Sequence, residues 1–595
     1  MTDRHSERGP VDGTGGEDRL SRRRFLQRAA LVGLPVAGAA VGLVDVFDGS
    51  VFVGPAHARR SPSGPRPAPE APVPSTTTTV LPDPSSPATA AWVRAENQRR
   101  GTTGWIVTGS QVPHAIEGYA GAVSALRGKA VELFVSTVAG SFHVEAYRMG
   151  WYQGLGARMV WRSPSLPGAR QPPPAFTPGV NMVECRWSPS LRMRVGSDWP
   201  PGYYLLKLVG SGGEQQLVPF LVRDDSSRSA YLALSAVCTW QAYNRWGGYS
   251  LYYGGPGAGS FEQRARVVSF DRPYPLSWAN GAADFIGNEY PLVMLMEREG
   301  MDVSYLTDVD LHARPALAAR HGALLSLGHD EYWSAPMRDG ALAARDAGSN
   351  LAFLGANACF RHIRLEASRN GPYRRQVCYK VASEDPMYGV RSSEVTSNWP
   401  DGPDPWPESL LIGDMYQSNG VQADLVVGDA SSWPWQGTGA SDGDRLAGVV
   451  GPEYDGWDPA VSFPPNLQVV AHSPVAQSPV AQSPVAHSPV AHSPDGLGQQ
   501  GWSDVTWYTL PGGGGVFATG TNYWVNRLSD NQRFNPALVP KAIPGVTAAL
   551  TQVTWNVLAV LGAGPASQTR PAVGNVKALY AGTGVADNAR TSWPA

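Results

Sequence analysis

The sequence predicts two folded units in series: an antiparallel β-sandwich over residues 89–225 and a mostly parallel α/β domain over 226–562. Three observations carry this reading. First, the runs "AVELFVSTV", "FHVEAYRM", "MVECRWSP", "LRMRVGS", "YYLLKLVG" and "QQLVPFLVR" follow one another with Gly, Pro and Asp at the turns and no long helical period between them, as in a sandwich. Second, after "RDDSSRSA" the pattern changes to nearly continuous apolar strands, "YLALSAV", "MDVSYLTD", "ALLSLG" and "NLAFLGAN", with the helical stretches "YPLVMLMEREG" and "SAPMRDGALAARDAGSN" between them. Such alternation implies a parallel sheet with helices on its faces. Third, "GGVFATGTNYWV" and "GVTAALTQVTWNVLAVLG" read as a closing strand and helix of the same domain.

Each element has its local signals. In the second helical stretch Ser334 is placed to cap, Pro336 sits in the first turn and Gly348 can end the helix. The segment 471–496 repeats SPVA(Q/H), and proline at every fifth position excludes a packed helix or a central strand. It is expected to be a surface loop, whose His472, His487 and His492 are at most weak metal donors. The four cysteines, Cys185, Cys238, Cys359 and Cys378, have no C-x-x-C spacing, so they suggest buried thiols rather than a zinc site or a disulfide framework.

The ends of the chain read differently. Ser21, Arg22, Arg23, Phe25 and Leu26 match the twin-arginine export pattern S-R-R-x-F-L, followed by an uncharged apolar run from Ala29 to Val44 and "AHA" at Ala56–Ala58 as a peptidase site. That run is shorter than the roughly 20 residues that span a bilayer. Residues 1–58 are therefore expected to be a twin-arginine signal peptide, with an uncleaved signal anchor as the sole route to a membrane. The expected location is the cell envelope or outside the cell. Residues 59–88, rich in Pro, Ser and Thr, read as a disordered linker, and 563–595 as a flexible tail. A net charge of −2, with 16% charged residues and no basic stripe, argues against nucleic acid as a partner.

In open parallel sheets, ligands bind beyond the carboxyl ends of the strands. "YLALSAV" runs into "CTWQAYNRWGGYSLYYGG", "ALLSLG" into "HDEYW" and "LAFLG" into "ANACFRH". Three loops thus bring Tyr243, Tyr252, His329, Glu331 and Asn357 to one edge. Glu331 can bind a hard metal or act as a base, or cap the helix that follows it. His329 is a ligand, a residue that orients Glu331, or a packing histidine.

The motifs "YRMGWYQGLGARMV", "VPFLVRDD", "TWQAYNRWGGYSLY", "SFDRPY", "LTDVDLH", "GHDEYW", "FLGANACFR" and "VCYK" resemble the large subunit of N,N-dimethylformamidase and its relatives, over about residues 100–380 and again near 515–561. The resemblance implies a hydrolase with one iron held by two tyrosines and a glutamate. Here these are Tyr243, Tyr252 (or its neighbour Tyr253) and Glu331. It further implies His329 as their support, Asn357 as a polar contact to the substrate and Lys380 as another site residue. Oxygen donors of this kind suit ferric iron. The α/β unit is also similar to glutamine-amidotransferase-like domains, whose nucleophile elbow reads G-x-C-x-G. In "GANAC" Asn357 stands where that cysteine would be, and Cys359, with His362 nearby, is the remaining thiol candidate.

The function expected is that of an exported, iron-dependent hydrolase of a small amide or similar C–N bond. The alternative is a non-enzymatic envelope protein that binds glycans or other surface polymers, suggested by 20 tryptophans, the sandwich and the proline-rich stalk. Neither the substrate nor the oligomeric state can be read from the sequence.

Overall fold

The computed structural model describes residues 85–109, 111–255, 259–476, 500–529 and 541–580. The expected signal peptide, nearly all of the linker and residues 477–499, which hold most of the repeat with His487 and His492, lie outside the described residues. The last linker residues already pack, since the Ala88 N–H donates to the Tyr231 hydroxyl at 3.1 Å.

Residues 116–223 form two main sheets and a small two-stranded one that pairs Ala175–Thr177 with Met182–Glu184. One has three strands, Ile116–Ala120, Ala130–Thr137 and Leu191–Arg194. The other has six, built on the antiparallel pairing of Ser141–Met149, Gly202–Gly210 and Gln215–Arg223. A single pair departs from the antiparallel pattern: Ser124–Leu126 runs parallel to Gln215–Arg223. Successive side chains of a strand point to opposite faces. Leu206, Leu208, Val218 and Phe220 accordingly meet Leu133 and Val135 of the smaller sheet in one core. Tyr203, Leu205, Leu217 and Leu221 turn the other way, into the main core of the α/β region. The six-stranded sheet is a middle layer with both faces covered, which is why "YYLLKLVG" is apolar but for Lys207, whose Nζ donates to the Gly104 and Ile106 carbonyls at 2.8 Å.

The α/β region is built on a seven-stranded sheet. Its strands, numbered here in chain order, are β1 (Tyr231–Ser235), β2 (Val303–Thr307), β3 (Ala323–Leu327), β4 (Asn350–Leu354), β5 (Gln468–Ala476), β6 (Gln500–Thr509) and β7 (Gly515–Ala518). They lie side by side in the order β2-β1-β3-β4-β7-β6-β5. The first five in that order are mutually parallel, and β6 and β5 are antiparallel to their neighbours. The expected closing strand, β7, is therefore interior, and part of the repeat, Ala471–Ala476, forms the edge strand β5. An edge is where a strand can hold Pro474 without losing a needed hydrogen bond. His472 is not poised for metal in this strand: its Nδ1 lies 2.7 Å from Asp504 and its ring stacks on Trp502 at 3.9 Å.

The Ala335–Asp346 helix starts from Ser334 and gives way to Gly348 at φ +100°. The Pro544–Leu561 helix buries Leu550, Val553, Val557 and Leu561 in the main core. The described part of the expected flexible tail, residues 563–580, packs against the sheet. There Trp507 Nε1 donates to the Arg570 carbonyl at 3.1 Å and the Tyr580 hydroxyl to Asp504 at 2.6 Å. Between β4 and β5 a long insertion folds into small sheets, including a pairing of Gly371–Val377 with Arg364–Ser368 and Val267–Ser269.

A buried ion pair ties the β-sheets to the α/β region. Arg148 Nη2 donates to Glu297 Oε1 at 2.7 Å and Nη1 to Oε2 at 3.0 Å, with neither side chain exposed. Tyr305 donates to the same carboxylate at 2.7 Å. Removing one member of such a pair strands a charge out of water. Arg148→Met should therefore lower stability by about 3–5 kcal/mol, and adding Glu297→Gln should restore part of it. Urea unfolding of the single and double variants checks both.

A second buried carboxylate sets a pH limit. Burial pushes Glu289 up to about 8 against hydrogen bonds from Tyr203, Ser235 and the Ala236 N–H, which favour its charged form. The fold thus holds a proton that the unfolded chain, with a value of 4.5, releases. The Glu289 contribution to stability is full below about 4.5, declines above it and is gone once pH has passed about 8. Thermal midpoints should fall across that window, and Glu289→Gln should flatten the decline.

Candidate functional site

β1 and β3 are neighbours, and the chain leaves them in opposite directions, to β2 on one side and β4 on the other. This is the switch point at which open α/β sheets bind ligands. The Val237–Tyr243 helix follows β1 and ends with Tyr243. β3 is followed by Gly328, whose backbone is left-handed at φ +59° and where a Cβ would lie 2.2 Å from the Asn288 carbonyl oxygen. That turn delivers His329, Asp330 and Glu331. The Glu331 N–H donates to Thr239 Oγ1 at 2.9 Å, and the Arg361 N–H to the Glu331 carbonyl at 2.8 Å, so both flanking segments hold its backbone.

Three oxygen-bearing side chains converge. The Tyr243 hydroxyl donates to Glu331 Oε2 at 2.8 Å. The Tyr252 hydroxyl lies 2.7 Å from that of Tyr243, and 2.9 and 2.8 Å from the two Glu331 oxygens. The two rings stack with centroids 4.4 Å apart. Tyr253, the alternative to Tyr252, is 45% exposed with Arg245 over its ring, so Tyr252 is the tyrosine that meets Glu331. Glu331 does not cap the next helix, because Ser334 occupies that position.

The other expected residues surround this cluster. His329 Nε2 is 3.0 Å from Glu453 and 3.5 Å from Glu331, with no aligned hydrogen bond to either. Asn357, left-handed at φ +56°, donates from Nδ2 to Glu453 at 3.4 Å, and its N–H to Asp455 at 2.7 Å. Lys380 donates to the Tyr332 hydroxyl and lies 3.6 Å over the Tyr252 ring. All six residues named from the sequence are thus brought together.

The electrostatics follow from burial. Burial alone would raise Glu331, but the His329 contact and the charges of Lys380 and Arg361 outweigh it and hold the carboxyl well below the usual range. Burial pushes Tyr243, Tyr252 and Tyr332 well above 10, and the Glu331 charge adds to the shift. Burial, helped by Arg361 and opposed by Glu331, brings Lys380 down to about 7.

Sequence reading missed Arg361, Tyr332, Thr239 and Glu453. Arg361 Nε donates to Glu331 Oε1 at 3.1 Å, and Tyr332 donates to Tyr252 at 2.7 Å. Both were visible inside "HDEYW" and "ACFRH", whereas Glu453 comes from the insertion and carries no motif. The thiol alternative does not hold. Cys359 is fully buried, and burial pushes it up to about 12. His362 stacks on Trp399 and meets the Val395 carbonyl instead. All four cysteines are free and buried. A small cavity lined by Tyr119, Tyr203, Trp240, Phe270 and Arg272 lies behind the Val237–Tyr243 helix, away from the phenol–carboxylate cluster.

Among the described residues no group of three or more His, Cys, Asp and Glu side chains is arranged to hold a metal. The converging set is of another kind, two phenols and one carboxylate. Its oxygens are 2.7–2.9 Å apart, the separation of adjacent ligands in an octahedral shell of radius about 2.0 Å. The set therefore fits one hard cation.

The class defined here is a β-rich mixed protein with a parallel-centred sheet and a buried phenol–carboxylate site at its switch point. The model for the family described as N,N-dimethylformamidase beta subunit-like, C-terminal, matches residues 143–535, more than half of the chain, and the chain belongs to that family. The match begins later than the expected residue 100 and runs unbroken through the insertion. No curated protein matches the chain. The family points to an amide hydrolase in general terms.

Gly328→Ala tests the delivery of the site. A left-handed backbone costs a side chain about 1–2 kcal/mol, and the Asn288 carbonyl must also move. The thermal midpoint should fall by at least that equivalent, whereas Gly371→Ala, in open space, should cost only the backbone part.

Proposed function

We propose that the chain is a metal-dependent hydrolase of a small amide, with iron held by Tyr243, Tyr252 and Glu331. The observation that carries the reading is the convergence of these three side chains, from two separate loops, on one another. Family membership supports it. In the same reading the facing sheets of 116–223 are a β-sandwich, the α/β unit is glutamine-amidotransferase-like, and residues 1–58 direct export.

When bound, such a cation supplies Lewis-acid polarisation of a carbonyl oxygen and lowers the pKa of water. The chain's own residues do the rest. Arg361 fixes the Glu331 carboxylate through Nε, and Tyr332 with Lys380 fixes the Tyr252 oxygen. Asn357 is held by Asp455 and Glu453 where it can orient a bound amide. Hydrolysis forms a C–O bond from water to the carbonyl carbon and breaks the C–N bond. His329, between two carboxylates, is placed to pass the balancing proton to the departing nitrogen.

Purified protein should carry one iron per chain and show a visible phenolate-to-iron absorption. Tyr243→Phe should weaken and shift that band, and Glu331→Ala should abolish iron binding. His329→Ala should keep the iron and lower kcat by about 10²–10⁴-fold. A colourless, iron-free protein whose hydrolysis survives Tyr243→Phe and Glu331→Ala sinks the reading.

A further inference from the structure

We infer that Arg272 is a positioning residue of the metal site: its guanidinium clamps the loop that joins Tyr243 to Tyr252 and so sets how the two phenols meet. The inference rests on the iron reading above. Arg272 acts through the backbone of that loop, where all its hydrogen bonds go.

The stretch "YNRWGGYSLY" leaves the Val237–Tyr243 helix and returns to Tyr252 as a closed loop. At its neck the Leu251 N–H donates to the Ala242 carbonyl at 3.0 Å, and the next residue on each limb is one of the two tyrosines. Gly247 and Gly248, left-handed at φ +76° and +84°, turn the chain back. The carbonyls of Asn244, Trp246 and Tyr249 then converge on Arg272. Nη2 donates to Asn244 at 3.0 Å, and Nη1 to Trp246 at 3.1 Å and to Tyr249 at 2.8 Å. The Asn244 side chain adds to the clamp, donating to the Pro273 carbonyl at 2.9 Å and accepting from the Trp246 N–H at 2.9 Å.

Carbonyl oxygens gathered at one buried point need donors. Arg272 supplies them while 1% exposed and, among the described residues, without a carboxylate partner. Its neighbour Asp271 is taken by Arg374, whose Nε donates at 2.9 Å. The buried cation is thus offset by the loop's carbonyl dipoles, and they are held by it. Burial brings the guanidinium down to about 10, so it is charged at neutral pH. A planar guanidinium reaches three carbonyls at once, whereas an ammonium is a point charge on a flexible stem. The clamp is anchored outside the loop, since the Cys185 N–H donates to the Asp271 carbonyl at 2.8 Å. Tyr243 is also fixed by its helix, but Tyr252 has the loop behind it. Loss of the clamp should therefore displace Tyr252 first, and with it the 2.7 Å contact between the two hydroxyls.

The experiment compares the full chain with Arg272→Lys and Arg272→Gln. Neither change strands a buried carboxylate, so both variants are expected to fold. Loss of a group that orients metal ligands typically lowers metal affinity about 10–100-fold. Iron binding, measured by chelator competition, should weaken at least about tenfold in each, and the phenolate-to-iron band should move toward that of Tyr252→Phe. Arg338→Lys is the control: Arg338 is also buried and donates to backbone carbonyls, those of Trp406 and Pro407. It should cost stability and leave the band in place. Hydrogen exchange of metal-free protein reads the clamp without iron, and the Trp246 amide should exchange faster in both Arg272 variants. Unchanged iron affinity and band in folded Arg272→Lys and Arg272→Gln overturn the inference and leave the iron reading standing. So does an equal band shift in Arg338→Lys. A wild-type chain that binds no iron sinks the iron reading. Unchanged Trp246 exchange in the variants then overturns the clamp as well, and faster exchange upholds it.

Discussion

Glu331 is a carboxylate 1% exposed at the carboxyl end of a central strand, and the surroundings of the site follow from the need to keep it there. An isolated charge at such depth is prohibitively costly and would take up a proton instead. Arg361 offers an ion pair, His329 a cationic neighbour, and Tyr243 and Tyr252 hydroxyl groups. With these partners the carboxyl stays ionised rather than neutral. The two phenols behave in the opposite way, since burial next to that charge keeps them protonated. One anion and two neutral hydroxyls at 2.7–2.9 Å spacing form a preorganised oxygen donor set.

The partners come from distant parts of the chain. Thr239 and Tyr243 lie after β1, Glu331 after β3, Arg361 and Asn357 after β4, and Glu453 in the insertion. The parallel sheet is what collects them: strands that run the same way end on the same side. The middle β-layer braces this arrangement from behind through Arg148 and Glu297 and through Tyr203 and Glu289, so the β-sheets and the site are mechanically one unit.

This explains what was legible in the sequence. Apolar strands ending in polar loops disclosed the parallel core, and the position of "HDEYW" after β3 pointed to Glu331 before any geometry was known. Local chemistry also marked Ser334 and Gly348 as helix ends. Antiparallel pairing of β5 and β6 was hidden because the proline repeat looked like pure loop, and an edge strand tolerates proline where an interior strand does not. Tyr252 and Tyr253 could not be told apart, since adjacent residues differ only in the direction the backbone gives them. Glu453 was invisible for another reason: a residue recruited by tertiary contact from an insertion has no periodicity or spacing to announce it. The packed segment 563–580 looked like a tail because its polar composition hides Tyr580, whose single aromatic ring and hydroxyl anchor it to Trp457 and Asp504.

A site gathered from segments so far apart cannot exist until the whole sheet has formed. Contacts so remote in sequence are among the last and slowest that folding makes. A metal that needs Tyr243, Tyr252 and Glu331 together therefore has nowhere to bind on an unfolded chain, apart from stray single donors. If the chain crossed a membrane unfolded, it would have to find its metal outside, in competition with every other cation there. The twin-arginine pattern at Ser21–Leu26 resolves that difficulty within the proposed function. A route that carries folded proteins lets the sheet close, and the donor set with it, in the compartment where the cell controls which metal is available. Under the proposed function the twin-arginine pattern and the Tyr–Tyr–Glu set would act together, because oxygen donors alone do not decide among hard cations and metal availability where the chain folds would decide it.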